Sequence, residues 1–242
     1  MLATQTKIVV ALDGMTWRRA LSLARHLEGS VWGFKLNDLI DQRGVAALKR
    51  LQEFGHVWAD VKLYDIGNTV KNRLRPYVEA EVDFVTIAAD AWDPAMRAAS
   101  EVKGATRLLA VTVLTSLEES DVRAKYGYPL TEYPRRYPVV EEVQKLTRRA
   151  LACGLDGIVC SPHELQFLDA LELPEHFIRA TPNIRLQEGS VRSDDQNPER
   201  SATPLEAIAL GADFLVIGRP ITQARKPLEV VERIIKNINP DS

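Results

Sequence analysis

Short apolar runs separated by amphipathic stretches set the rhythm of this sequence. "KIVVALD", "VWGFKLN", "HVWADVKL", "DFVTIAA", "RLLAVTVLT", "GIVCS", "FIRATP" and "DFLVIGR" are rich in β-branched and aliphatic residues and read as eight strands. Between them, "WRRALSLARHLE", "GVAALKRLQEFG" and "PHELQFLDALEL" carry apolar residues at intervals of three and four, the spacing of a one-faced helix. A strand followed by a helix, repeated eight times in 242 residues, predicts α/β architecture with a parallel sheet. That number of units fits a closed (β/α)8 TIM barrel, a single domain over residues 1–242. An open doubly wound sheet would more often announce a Gly-rich first turn, and neither GxGxxG nor GxxxxGK[ST] occurs.

Most units take roughly 25 residues; one is much longer, and a second polar stretch also stands out. "SLEESDVRAKYGYPLTEYPRRYPVVEEV" follows strand five and implies extra helix and Pro-rich turns, either an excursion over the barrel mouth or a subunit contact. "RLQEGSVRSDDQNPERSATP" follows strand seven with little periodicity and reads as a long functional loop or lid, the alternative being a disordered surface loop.

Polar residues interrupt the apolar pattern at one recurring place. In "HVWADVKL" the side chains alternate, so Asp60 and Lys62 share one face of the strand and Val61 and Leu63 the other. Burying such a pair in a closed core costs more than it returns, which favours a site at the strand's open end. Asp13 ends strand one, Lys35 lies near the end of strand two, and Thr115 and Ser116 follow strand five. All therefore converge on the C-terminal mouth, where such barrels carry their catalytic groups. Taken singly each has a plainer reading: Asp13 and Asp65 as helix caps, Lys35 as a side chain snorkelling to the rim. The last unit, "IGRPIT", offers Gly218 for close backbone approach, Arg219 as a guanidinium and Pro220 for a helix's first turn, a phosphate-binding combination after strand eight. A solvent-facing arginine is the alternative for Arg219.

Composition narrows the function classes. Hydrophobic content of 45% and charged content of 26% supply a large core and argue against disorder. A net charge of -2 and a pI near 6.1 exclude a general nucleic-acid or anionic-membrane surface. Cys153 and Cys160, without a CxxC pair, read as ordinary buried thiols in a reducing, cytoplasmic setting. "MLATQTKIVVALDG" lacks the features of a signal peptide, and no run approaches the ~20 apolar residues of a membrane helix. The four histidines are scattered, "HELQF" is not HExxH and no G-x-S-x-G elbow appears, so metal hydrolysis and Ser-His-Asp catalysis find no support.

"VVALD", "DVKLYDIGNT", "AVTVLTSLE", "CGLDGIVCS", "TPNIR" and "LVIGRPIT" resemble, in order and over nearly the whole chain, segments of the orotidine 5'-monophosphate decarboxylase family. The D-x-K-x-x-D-I-x-x-T pattern marks the wider superfamily, and the ordered set narrows it to the decarboxylase. The resemblance implies decarboxylation of orotidine 5'-monophosphate to UMP and CO2, the last step of de novo UMP synthesis, without cofactor or metal. It implies a ribose contact for Asp13, a charged network that includes Lys35, and a catalytic core of Asp60, Lys62 and Asp65 in which Lys62 protonates C6. Asp65 is expected to reach the neighbouring subunit's site, making the protein a homodimer. Thr69 and Thr115 resemble further ligand contacts, Ser116 the hydroxyl that reads the pyrimidine edge, and Arg185, Gln196, Gly218 and Arg219 the phosphate side.

Two departures from the pattern stand out. Asn183 replaces a usual Gly, although Asn tolerates a positive φ better than most residues. The segment from Arg185 to Gln196 is slightly expanded, so Gln187 competes with the preferred Gln196 as the glutamine bridging base and phosphate. The nearest rival is a magnesium-dependent sugar-phosphate decarboxylase or aldolase-like member of the superfamily. Such relatives place a carboxylate where this chain has Lys35, whose ammonium would repel a cation. A catalytically silent nucleotide-binding protein on the same barrel is the rival from a different class.

Overall fold

The computed structural model describes residues 7–128, 138–186 and 200–239. All eight apolar runs form strands: β1 (Ile8–Ala11), β2 (Gly33–Leu36), β3 (His56–Leu63), β4 (Phe84–Ala88), β5 (Arg107–Val111), β6 (Gly157–Val159), β7 (Ile178–Thr181) and β8 (Phe214–Ile217). Each pairs in parallel with its sequence neighbour, and β1 pairs with β8 through Val9 opposite Val216, which closes the barrel.

The helices follow in the expected places. α1 (Trp17–His26), α2 (Asp38–Arg43), α3 (Ala46–Leu51), α4 (Gly67–Glu79) and α5 (Asp93–Val102) cover the first half. α6 (Glu119–Tyr126), α7 (Pro138–Ala152), α8 (Pro162–Leu165), α9 (Pro204–Ala209), α10 (Arg219–Thr222) and α11 (Pro227–Ile238) cover the second. Local chemistry sets their ends. Thr16 caps α1 by accepting from the N–H of Arg19, and Gly127, at φ 74°, ends α6 in the left-handed conformation that glycine adopts without strain. "PHELQFLDALEL" is not one helix: it breaks after α8 and resumes as a single 3-10 turn at Asp169–Leu171. The long connection after β5 does contain an extra helix, α6. Residues 129–137 of that connection, and residues 187–199 of the expected lid over 185–204, lie outside the described residues.

Strand alternation sorts the side chains into two cores. Ile8, Val10, Val57, Ala59 and Val85 point outward into the layer beneath the helices, while Val9, Ala11, Trp58, Phe84, Leu109, Ala180 and Val216 fill the barrel. Aromatic rings pack that interior. Trp32 stacks on Phe84 with centroids 4.7 Å apart, and Trp58 and Phe214 meet Phe84 edge-on at 5.7 and 5.2 Å. With this part of the interior packed by apolar rings, polar groups are left to the C-terminal mouth. Close strand approach also requires small residues: a Cβ added to Gly33 or Gly157 would collide with the backbone carbonyl of His56 or Ile178. Among the described residues no helix is long and apolar enough to cross a membrane.

Candidate active site

A cavity of about 570 Å³ opens at the C-terminal mouth. Along its β1–β3 side opposite charges alternate. The Lys35 Nζ donates to Asp13 Oδ2 and to Asp60 Oδ2, both at 2.8 Å, and the Lys62 Nζ donates to Asp60 Oδ1 at 2.9 Å. The Lys35 side chain is only 9% exposed, so it does not snorkel to the rim. Burial works against its charge, but the Asp60 and Asp13 carboxylates prevail and raise its pKa above the ordinary lysine value. Burial likewise favours the neutral form of Asp60, yet Lys35 and Lys62 hold its pKa at about 2. The buried charges are therefore paired on every side, the condition under which such groups are tolerated.

Lys62 reaches this position through a distortion of β3. The pairing of β3 with β4 shifts register between Ala59 and Leu63, and Lys62 itself has φ 41°, a conformation rare for a non-glycine residue. Thr86 on β4 holds the irregular segment. Its Oγ1 accepts from the Lys62 backbone N–H and donates to Asp60 Oδ1, both at 2.9 Å. The Asn37 side chain donates to the Asp60 carbonyl at 2.6 Å. Neither Thr86 nor Asn37 was expected from the sequence. The available signal for Thr86 was a lone hydroxyl among the apolar residues of "DFVTIAA", on the inward face that Phe84 shares.

Of the remaining expected residues, Thr115, Arg185, Gly218 and Arg219 line the cavity. Asn183 lines it too, buried and at φ 64°, so the backbone takes the left-handed turn that the substitution of Asn for Gly called into question. Arg19, on the first turn of α1, was not expected. It joins the same wall, with its Nη2 donating to the Thr222 carbonyl at 2.7 Å. Asp13 does not cap α1, a role that Thr16 takes. Ser116 is exposed beside Thr115 and is not part of the cavity wall. Asp65 and Thr69 are also absent from it: Asp65 is exposed, its Oδ1 accepting from the adjacent Ile66 N–H at 2.7 Å, and Thr69 lies half-buried in α4. Gln187 and Gln196 lie outside the described residues. Among the described residues no group of three or more His, Cys, Asp and Glu side chains could hold a metal ion.

Fold and site together define a parallel (β/α)8 barrel with a carboxylate–ammonium chain at its mouth and guanidinium groups on the β7–β8 side. The chain belongs to the orotidine 5'-phosphate decarboxylase / HUMPS family, whose model matches residues 6–234. It is 37% identical over 236 residues to orotidine 5'-phosphate decarboxylase of Rhodopseudomonas palustris (strain BisA53), covering 96% of this chain and 94% of that protein. Identity to the enzyme of the same name from Dictyoglomus turgidum is also 37%, over 242 residues, with 96% of this chain and 94% of that protein covered. The crystal structure of the Lactobacillus acidophilus orotidine 5'-phosphate decarboxylase superposes with a TM-score of 0.74 at 30% identity, covering 96% of this chain and 98% of that one.

Proposed function

We propose that this protein decarboxylates orotidine 5'-monophosphate to UMP and CO2 without a cofactor, as the closing step of UMP synthesis in the cytoplasm. The observation that carries the reading is the chain Asp13–Lys35–Asp60–Lys62 at the mouth of a barrel of this family. A nucleotide suits the cavity's polarity, with its phosphate toward Arg185, Gly218 and Arg219 and its ribose and base toward the carboxylate–ammonium chain.

Loss of CO2 from C6 leaves a carbanion with no adjacent carbonyl into which it delocalises readily. A preorganised ammonium aimed at that carbon supplies the stabilisation, and Lys62 then delivers its proton to C6. Asp60 holds the Lys62 Nζ and stands near the departing carboxylate, where repulsion is relieved as CO2 leaves. Lys35 fixes Asp60 from the other side and ties it to Asp13, the residue assigned to the ribose. Phosphate binding is remote from C6, so its energy goes into ordering the site.

Asp65 completes the network from a second copy of the chain. In support, it lies outside its own cavity, and the side chains near it in sequence, Tyr64 and Ile66, are 61% and 73% exposed, apolar surface that a partner would cover. Against the magnesium-dependent sugar-phosphate reading stands Lys35, whose ammonium occupies the space between the two carboxylates that a cation would require.

The test is ultraviolet conversion of orotidine 5'-monophosphate by purified protein, with and without EDTA, beside Lys62→Ala. Fast, chelator-insensitive turnover abolished in the variant is expected. An inert but folded wild-type protein would overturn the assignment.

A further inference from the structure

A buried ion pair outside the proposed catalytic chain joins two parts of the cavity wall. Arg200 and Glu164 are 7% and 3% exposed. The Arg200 Nε donates to Glu164 Oε1 and its Nη2 to Oε2, both at 3.1 Å, while its Nη1 donates to the carbonyls of Leu114 and Leu117 at 2.7 and 3.0 Å. Those carbonyls bracket Thr115 and Ser116. The carboxylate is anchored in turn, since Glu164 Oε2 accepts from the Ser161 N–H at 2.7 Å and the Ser161 hydroxyl donates to the Arg200 carbonyl at 3.1 Å. Two residues beyond Arg200, Ala202 bridges to Ile184 and its carbonyl accepts from the Arg185 N–H at 2.9 Å. The Arg200 guanidinium thus holds the loop after β5, while the backbone two residues further on, at Ala202, holds the segment that carries Arg185.

Stability alone does not account for such a pair, because apolar residues of similar volume often stabilise a fold as well or better. What a guanidinium adds is direction. Its planar fork meets two carboxylate oxygens and two carbonyls at fixed angles, which a lysine ammonium, a single donor atom on a flexible stem, cannot reproduce.

We propose that Arg200, oriented by Glu164, is a positioning residue that locks the Thr115–Ser116 loop to the Arg185 segment, so that the pyrimidine and phosphate ends of the site act as one unit. This rests on the decarboxylase reading above. Phosphate binding then improves the placement of the pyrimidine through Arg200, although Arg200 itself touches no substrate.

The experiment compares wild type, Arg200→Lys, Glu164→Gln and Arg200→Ala, each checked for folding by circular dichroism, on orotidine 5'-monophosphate and on orotidine, which lacks the phosphate. In Arg200→Lys, kcat/KM for the nucleotide should fall about 100-fold, the scale of loss produced by ångström misplacement of reacting groups. The nucleoside should lose less than about threefold, and added guanidinium should restore at least about tenfold of the nucleotide activity in Arg200→Ala. Equal losses on both substrates without guanidinium rescue would reduce the pair to a structural brace and overturn the proposal. Nucleotide activity within about twofold of wild type in Arg200→Lys and Glu164→Gln would also overturn it, and those two variants decide the matter if Arg200→Ala does not fold. A wild-type protein inert toward the nucleotide would instead remove the decarboxylase reading, an outcome distinct from any difference among the variants.

Discussion

Asp60 is the residue on which the candidate site turns. Its folded pKa of about 2 lies below the ordinary 3.8, so ionisation of Asp60 contributes stability that is present above pH 3.8 and is lost as pH falls toward 2. Lys35 has the opposite sign: its pKa is raised above 10.5, so its contribution is full below that value and fades only at more alkaline pH. Urea unfolding as a function of pH should therefore show no slope from this pair across neutrality and an acid loss that Asp60→Asn removes. Truncating Lys35 to alanine leaves Asp60 buried with only Lys62 as a cationic partner, and should cost ~3–5 kcal/mol by denaturant titration. On the phosphate side, Arg219→Ala should lower kcat/KM severely. A change of less than about twofold, under roughly half a kcal/mol, would show that Arg219 does not bind phosphate.

At the scale of elements, the irregular end of β3 is held by its neighbour β4. Thr86→Val keeps the shape of the side chain but removes the acceptor for the Lys62 N–H and one donor to Asp60. The expected cost is ~1–3 kcal/mol in thermal or chemical unfolding, with a fall in kcat as Lys62 loses its support. Tight strand spacing gives a second test: Gly157→Ala would drive a Cβ into the Ile178 carbonyl and must push β6 from β7, destabilising the barrel by ~1–3 kcal/mol or more. All eight strands were legible because each is a short run rich in β-branched and aliphatic residues, and the ring of polar residues at their ends was legible by position. The split of "PHELQFLDALEL" was not, because its helical spacing persists through residues that turn rather than continue the helix.

For the whole molecule, the proposed sharing of Asp65 with a second copy of the chain is the claim to test. If each site takes Asp65 from its partner, Asp65→Ala and Lys62→Ala are each inactive, yet mixing and refolding them together yields hybrids with one site free of both defects. Random pairing at equal amounts should restore up to about a quarter of wild-type activity. No recovery from a mixture that sedimentation shows to be dimeric would mean that the site is complete within one chain.

The repeat of strand and helix, its count of eight units and the order of the charged motifs follow from local periodicity and side-chain type, so the sequence by itself determined them. Only the tertiary structure decided which charges meet. That Lys35 joins Asp13 to Asp60, that Thr86 steadies the strained Lys62, and that Arg200 spans from Glu164 to the loop after β5 depend on strand register and on contacts between residues 22 to 86 positions apart. Periodicity assigns a side chain to a face. Closing the sheet selects its neighbour, and with it the charge state on which the proposed chemistry rests.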